Sequence, residues 1–594
     1  MDKLGKYLLY TLTILSCSTY ESYSNPYPPS EPIVHTHYGY IRGTTCQSRD
    51  GRPFDAYLGI PFAQPPVGEL RFKAPKPLKP WNGTFDATKN GPYCIQKNYF
   101  FANAQVEGQE DCLYLNVYVP KVINDGKPLP VMVSIHWGGF FAGRGTSDYF
   151  GPEYLMDKDV IVVTFNYRLG VLGFLSTLDD EAPGNYALKD QVAVLKWVHR
   201  NIRSFNGDPD RVTIFGASAG AGSTHLHIIS PLSKGLFHQA ISESGSALAL
   251  WATPLNDVQK QVVAVQAQLV GCNSSDSKSL ISCLRKVDAR TLVESGDAFK
   301  FFSIDPVTPY TLVTETKTKR NPKPFLTKLP VQYVQNGEFS NVPWIIGTNE
   351  NEGSLRASAL VRQSSTRNAL NANFTPLMIQ EMNYLVSVGT DETKQLDLHS
   401  KVQDNYMNGQ EFINPDDPAN IQGFVNIWSD RAFKYAKYQS VMLHSAMGHS
   451  PIWAYSFEYE GQNTFETLWA ATNETVPFHW GTSHCDDLLY LFNSPGLFPP
   501  VVDGRDREMS EILLDRWTNF AIYGNPQRSS GKNYWHSLNF TGMDNMQNDN
   551  LYILNITGSV SGKPIEETMQ QGFLKDRMLF WASQQLFENF EGLH

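Results

Sequence analysis

Short apolar runs alternate with helical patterns through the N-terminal half of the chain. Val131 to His136, Val160 to Tyr167 and Arg211 to Phe215 are rich in β-branched and aromatic residues, and each leads into a turn containing glycine. Between the last two lies Asn185 to Ser204, where Leu188, Val192, Leu195 and Val198 recur at helical spacing. Asp190, Lys196 and Arg200 mark the solvated face of this predicted helix. Strand, helix and strand at this spacing predict parallel βαβ construction. Later apolar runs at Trp344 to Gly347, Trp453 to Phe457 and Leu551 to Leu554 read as further strands of the same sheet. The stretches Pro254 to Asn341 and Arg356 to Ser450 lack strand alternation and read as helical or irregular insertions, a usual location for substrate pockets. No repeat, heptad pattern or low-complexity linker divides the chain, so residues 19–594 are expected to form one domain.

The first residues change the picture from a generic α/β protein to an exported one. A basic start at Lys3 and Lys6, an apolar run from Tyr7 to Leu15 and the small residues Ser16 to Ser18 form a secretory signal pattern over residues 1–18. No other stretch is long and apolar enough to span a bilayer, so no stable membrane anchor is expected. Of seven cysteines, Cys17 falls within the signal, and no CxxC pair suggests zinc or redox chemistry. In an oxidising compartment, pairing of Cys94 with Cys112 and of Cys272 with Cys283 would each close a short loop. Sequons at Asn82, Asn273, Asn373, Asn473, Asn539 and Asn555 fit a glycoprotein. A net charge of −10 with no basic cluster argues against nucleic-acid partners.

Two motifs carry candidate chemistry. Gly216-Ala217-Ser218-Ala219-Gly220 follows the Arg211 to Phe215 run and precedes a helix start of small residues. This context predicts a nucleophile elbow, in which a tight strand-to-helix turn pushes the serine hydroxyl outward and aims a helix N-terminus at developing negative charge. His136-Trp137-Gly138-Gly139-Phe140 ends an upstream strand and can turn backbone amides toward an oxyanion, with the Ala219 amide completing the set. Read alone, either motif also fits an ordinary glycine turn.

Further blocks make the chain resemble the type-B carboxylesterase and cholinesterase family. They are Tyr57-Leu58-Gly59-Ile60-Pro61-Phe62-Ala63, Glu110-Asp111-Cys112-Leu113-Tyr114-Leu115-Asn116, Asn185 to Gln191 and Asn206-Gly207-Asp208-Pro209, in family order. The resemblance implies an α/β-hydrolase fold: a large, mostly parallel central sheet flanked by helices, with long helical insertions forming a substrate gorge. It also implies hydrolysis of small carboxylic esters by a Ser-His-Glu triad through an acyl-enzyme, with no cofactor or metal. Glu352, directly before Gly353-Ser354, matches the family acid, with Glu350 the alternative; His484 matches the Gly-x-x-His block. The other expected site residues are Ser218 as nucleophile, Gly138, Gly139 and Ala219 as oxyanion donors, and Trp137 and Trp251 as pocket residues.

Three departures from the family pattern bear on substrate. Trp137 stands where many members have the first of three glycines, which predicts a narrower pocket. Ala217 replaces the common glutamate or glutamine, which weakens a match to juvenile hormone esterases. No tryptophan lies between Cys94 and Cys112, so a cation–π site for choline is not expected. The His484 block resembles arthropod carboxylesterases and keeps a juvenile hormone ester as a candidate. A lipase-like specialist and a catalytically inactive adhesion relative are the alternatives.

Overall fold

The β-rich runs assemble into one eleven-stranded sheet. In chain order its strands are β1 (Thr44–Gln47), β2 (Pro53–Pro61), β3 (Tyr114–Pro120), β4 (Leu129–Ile135), β5 (Ile161–Phe165), β6 (Gly207–Ala217), β7 (Gln239–Glu243), β8 (Trp344–Asn349), β9 (Ile452–Glu460), β10 (Tyr552–Ser559) and β11 (Glu566–Gln571). The structure, a computed structural model, describes residues 31–122, 126–527, 535–538 and 551–589. The signal segment 1–18 and the sequon at Asn539 lie outside the described residues.

Across the sheet the order is β11-β10-β9-β8-β7-β6-β4-β5-β3-β2-β1. Every pairing from β10 to β5 is parallel, and the remaining edge pairings are antiparallel. The central strands are buried along their length, as a parallel sheet covered on both faces requires. The predicted runs all fall on sheet strands, and the expected helix forms at Tyr186–Asn201. The two long stretches without strand alternation supply a series of helices, as expected. The edge strands β1, β2, β3 and β11, and the short β7, were not among the predicted runs.

The expected solvated face of the Tyr186–Asn201 helix needs one correction. Asp190 is fully buried, with its carboxylate 2.7 Å from Arg168 Nη2 and 2.8 Å from Arg168 Nε. Periodicity assigned it outward because a charged residue without a visible partner reads as solvated. The partner comes from the turn after β5, which no local pattern reveals.

The helix Ala219–Ile229, directly after β6, is buried along its length. From it His225 begins a chain of three buried histidines: His225 Nε2 lies 2.8 Å from His444 Nε2, and His444 Nδ1 lies 2.8 Å from His449 Nδ1. Proton positions follow from the two ends. His449 Nε2 must donate to the Val342 carbonyl at 2.7 Å, and His225 Nδ1 must accept from the Ala247 amide at 3.2 Å. Only one arrangement of neutral tautomers satisfies both ends. Burial lowers the pKa of all three rings, to about 3 for His225 and about 4 for His449. The unfolded chain therefore binds protons that the fold refuses, and stability falls as pH drops below the unfolded histidine value. Replacing His449 with glutamine is expected to flatten the slope of unfolding free energy against pH by about 1.4 kcal/mol per unit between roughly pH 4.5 and 6.5. Denaturant titrations at several pH values check this, and an unchanged slope would mean that His449 is charged in the fold.

Candidate active site

The candidate residues stand on loops at the C-terminal end of the central strands, where ligands bind in open parallel sheets. The first loop follows β6. Ser218 has φ 57° and ψ −120°, a conformation that L-residues rarely adopt and that turns its side chain out of the strand. Its neighbours allow the turn only as glycines. A Cβ on Gly216 would lie 2.3 Å from the Ile135 carbonyl oxygen, and one on Gly220 would lie 2.0 Å from the same atom. The Ser218 amide donates to the Glu243 carbonyl at 2.9 Å, which fixes the turn to β7.

The second loop, after β8, carries Glu352, and the third carries His484. Glu352 Oε2 is 2.5 Å from His484 Nδ1, and Glu352 Oε1 accepts the Asn349 amide at 2.7 Å. Both side chains are buried. Because a carboxylate accepts, Nδ1 carries the hydrogen and Nε2 keeps its lone pair. Nε2 has no hydrogen-bond partner among the described residues. The two loops are stitched together by the Asn351 amide on the Thr482 carbonyl at 2.8 Å and by Asn349 Nδ2 on the Ser483 carbonyl at 2.7 Å. Glu350, the alternative acid, is 3.5 Å from the Thr482 amide instead.

After β4, the chain from His136 to Gly143 folds back on itself. The amides of Phe141 and Ala142 donate to the Gly138 carbonyl, whereas those of Gly138 and Gly139 have no acceptor among the described residues. The Ala219 amide opens a helix and likewise lacks an intrahelical acceptor. Gly138 has φ 119°, and a Cβ there would meet the Ala142 carbonyl oxygen at 2.1 Å, so the turn excludes other residues. His136 holds the loop from inside: its Nδ1 donates to the Trp137 carbonyl at 2.7 Å, and its ring stacks on Tyr167 at 4.1 Å. Burial lowers its pKa to about 4, so the ring is neutral.

Trp137 is buried, stacked on Tyr149 at 5.9 Å and edge-on to Trp469 at 5.8 Å. Trp251 is held by its Nε1 on the Ala432 carbonyl at 2.8 Å, with Phe140 and Phe433 each 6.0 Å away. Phe433, which the sequence pattern did not single out, lies with its ring 4.4 Å from that of His484. It sits in a π-helical turn at Asp430–Lys434, where one extra residue in the helix defeats the spacing that would have flagged it.

Cys94 is bonded to Cys112 and Cys272 to Cys283, as the spacing suggested. Asn82, Asn273, Asn373 and Asn473 are exposed, and Asn555 is partly exposed on β10. No helix among the described residues is long and apolar enough to cross a membrane. No group of three or more His, Cys, Asp or Glu residues among them is placed to hold a metal ion.

Comparison with known proteins places this geometry in a lineage. The sequence profile of the Carboxylesterase family matches residues 30–581. The juvenile hormone esterase of Tribolium castaneum is 53% identical over 566 residues, 95% of each chain. Venom carboxylesterase-6 of Apis mellifera is 35% identical over 511 residues, 86% of this chain and 88% of that one. A crystal structure of juvenile hormone esterase from Manduca sexta, with OTFP covalently attached, superimposes with a TM-score of 0.79 at 28% identity, over 93% of this chain and 99% of that chain. The sheet order and the flanking helices are thus those of an α/β-hydrolase, and the chain belongs to the carboxylesterase family as a carboxylic ester hydrolase.

Proposed function

We propose that the protein is a secreted serine carboxylesterase of one domain, in which Ser218, His484 and Glu352 form the triad and the amides of Gly138, Gly139 and Ala219 hold the oxyanion. The observation that carries the reading is the Nδ1–H to Glu352 bond of 2.5 Å, which leaves Nε2 as a free base at the end of the sheet where Ser218 is turned outward. Nε2 takes the Ser218 Oγ proton as Oγ bonds to the ester carbonyl carbon, and the carbonyl oxygen becomes an oxyanion. Collapse of this intermediate breaks the bond to the alcohol oxygen, which leaves with the proton from Nε2. Water, deprotonated by the same nitrogen, then attacks the acyl-enzyme and releases the acid and the serine hydroxyl. The Glu352 carboxylate fixes the tautomer throughout and stabilises the imidazolium.

Export is supported by the signal pattern at residues 1–18, by the exposed sequons and by the disulfides Cys94–Cys112 and Cys272–Cys283, which persist in oxidising compartments. The substrate we assign is a small apolar carboxylic ester of the juvenile hormone type, supported by the 53% identity to the Tribolium enzyme. Trp137, Trp251 and Phe433 supply apolar walls near the reacting groups and no cation-binding tryptophan lies between Cys94 and Cys112. The test is a panel of juvenile hormone, short neutral esters, a choline ester and an emulsified triglyceride. The reading requires the highest kcat/KM on juvenile hormone and no activation at a lipid interface. Interfacial activation would favour the lipase alternative, and no hydrolysis of any ester would favour the inactive one.

A further inference from the structure

Two lysines are buried behind the loop that carries Glu352, and the reaction above uses neither. The helix covering this end of the sheet runs over Pro418–Ser429, passes through the π-helical turn and continues as Tyr435–Ala446. Lys434 and Lys437 are 4% and 2% exposed. Lys434 Nζ donates to the Glu350 carbonyl at 2.5 Å. Lys437 Nζ donates to the Tyr455 carbonyl at 2.7 Å and to Thr348 Oγ1 at 3.2 Å, and lies 4.0 Å over the Phe573 ring. None of these partners is a carboxylate. The carbonyl and the ring face both favour a cation, which suits an ammonium better than an amine with a lone pair to place. A buried cation is costly unless charge nearby offsets it.

The offsetting charge lies across the loop. Two more buried carboxyl groups continue from Glu352: Asp487 beside it, which accepts from Tyr455 OH at 2.9 Å, and Glu243 beside Asp487, which accepts from Trp517 Nε1 at 2.5 Å. Burial first, and then carboxylate neighbours, push the pKa of both acids up, so they tend to hold their protons. Asp486 is pushed up to about 8, chiefly by burial. Burial lowers both lysines, and in each the Glu352 carboxylate works against that lowering. Lys434 also faces Arg577, Asp430 and Glu350, and Lys437 faces Glu458 and Lys434 itself, whose charge works with burial to lower it.

We infer that Lys434 and Lys437 are positioning residues for ester hydrolysis, buried cations that keep Glu352 ionised against His484 inside a cluster of carboxyl groups. The inference rests on the triad reading given above. Its sign is fixed by charge alone. Adding a proton to the Glu352–His484 pair, on whichever partner it resides, adds positive charge near the two ammonium groups, so removing one of them makes that protonation easier.

Lys437→Gln keeps a donor for the Tyr455 carbonyl and loses the charge. The acidic limb of kcat/KM against pH is expected to move to higher pH by about half a unit or more. Lys434→Gln should move it in the same direction, and Lys434→Arg, which keeps the charge, should restore the limb of the parent enzyme. A limb that stays in place in both glutamine variants, with melting temperature near that of the parent, overturns the inference, since the lysines are then neutral or merely structural. Should Lys437→Gln not fold, the pair Lys434→Gln and Lys434→Arg decides alone. Titrating the same samples with an organophosphate separates the two levels: an adduct on Ser218 with an unmoved limb sinks only this inference, whereas no adduct on Ser218 in the parent enzyme sinks the triad reading.

Discussion

Replacing Ser218 with alanine is expected to lower kcat/KM for a neutral carboxylic ester by about 10 000-fold or more, with the fold intact. The loss is large because no other described group takes the place of Oγ: the elbow presents this one side chain outward, and the neighbouring positions are glycine or alanine. The fold should survive because Ser218 is held through its backbone, by its amide on the Glu243 carbonyl and its carbonyl under the Gly222 amide, and alanine keeps both bonds. Residual hydrolysis above the rate in water is expected from the oxyanion donors and substrate positioning, which the substitution leaves in place. Steady-state kinetics on the most rapidly cleaved ester, with circular dichroism as the fold control, measure it. A variant within tenfold of the parent enzyme would rule Ser218 out as nucleophile.

Glu352→Gln should cost about 1 000- to 10 000-fold in kcat, for a reason that differs in kind. Glutamine has nearly the same shape, and its carbonyl oxygen can still accept the Asn349 amide that Glu352 Oε1 accepts at 2.7 Å. Its amide nitrogen then faces His484 Nδ1 as a donor, which forces Nδ1 to accept and moves the hydrogen to Nε2. The imidazole stays in place but can no longer take the serine proton. Glu350→Gln is the matched control, because its carboxylate lies at the Thr482 amide and not at the ring, and it should remain within a few-fold of the parent enzyme. If Glu350→Gln were the damaging change and Glu352→Gln the mild one, the acid would have been assigned to the wrong glutamate.

Much of this arrangement could be read before any coordinates, and the parts that could not share a physical cause. The elbow was legible because it is local: a β-rich run, glycines at a turn no larger residue can enter, and a helix of small residues lie within one short segment. The parallel construction was legible because β4, β5 and the second half of β6 are mostly apolar and buried. Glu352 and His484 stand on loops, where no periodicity marks a residue, and only family resemblance pointed to them. The buried charges were invisible for the opposite reason. Asp190, Lys434 and Lys437 look like solvent-face residues because their partners, Arg168, the Glu350 carbonyl and the Tyr455 carbonyl, come from other elements. Phe433 escaped because a π-helical turn shifts the register at the point where it meets His484. In each case the missed residue is defined by a tertiary contact and the legible one by its own neighbours in sequence.

The glycine loop after β4 combines the two kinds of information. Two consecutive glycines are a common turn, but here the Phe141 and Ala142 amides bond to the Gly138 carbonyl, and those of Gly138 and Gly139 have no acceptor among the described residues. His136, neutral and stacked on Tyr167, fixes the loop. Trp137 packs in an aromatic cluster with Tyr149 and Trp469, which accommodates the large residue that stands in place of a glycine in this loop.

The most direct measurement is covalent labelling of the intact enzyme with a fluorescent organophosphate, followed by peptide mass spectrometry. The account predicts one adduct per chain, on the peptide that contains Ser218, formed in step with loss of esterase activity and absent from Ser218→Ala. An adduct on any other residue, or full inactivation with Ser218 unmodified, would contradict it.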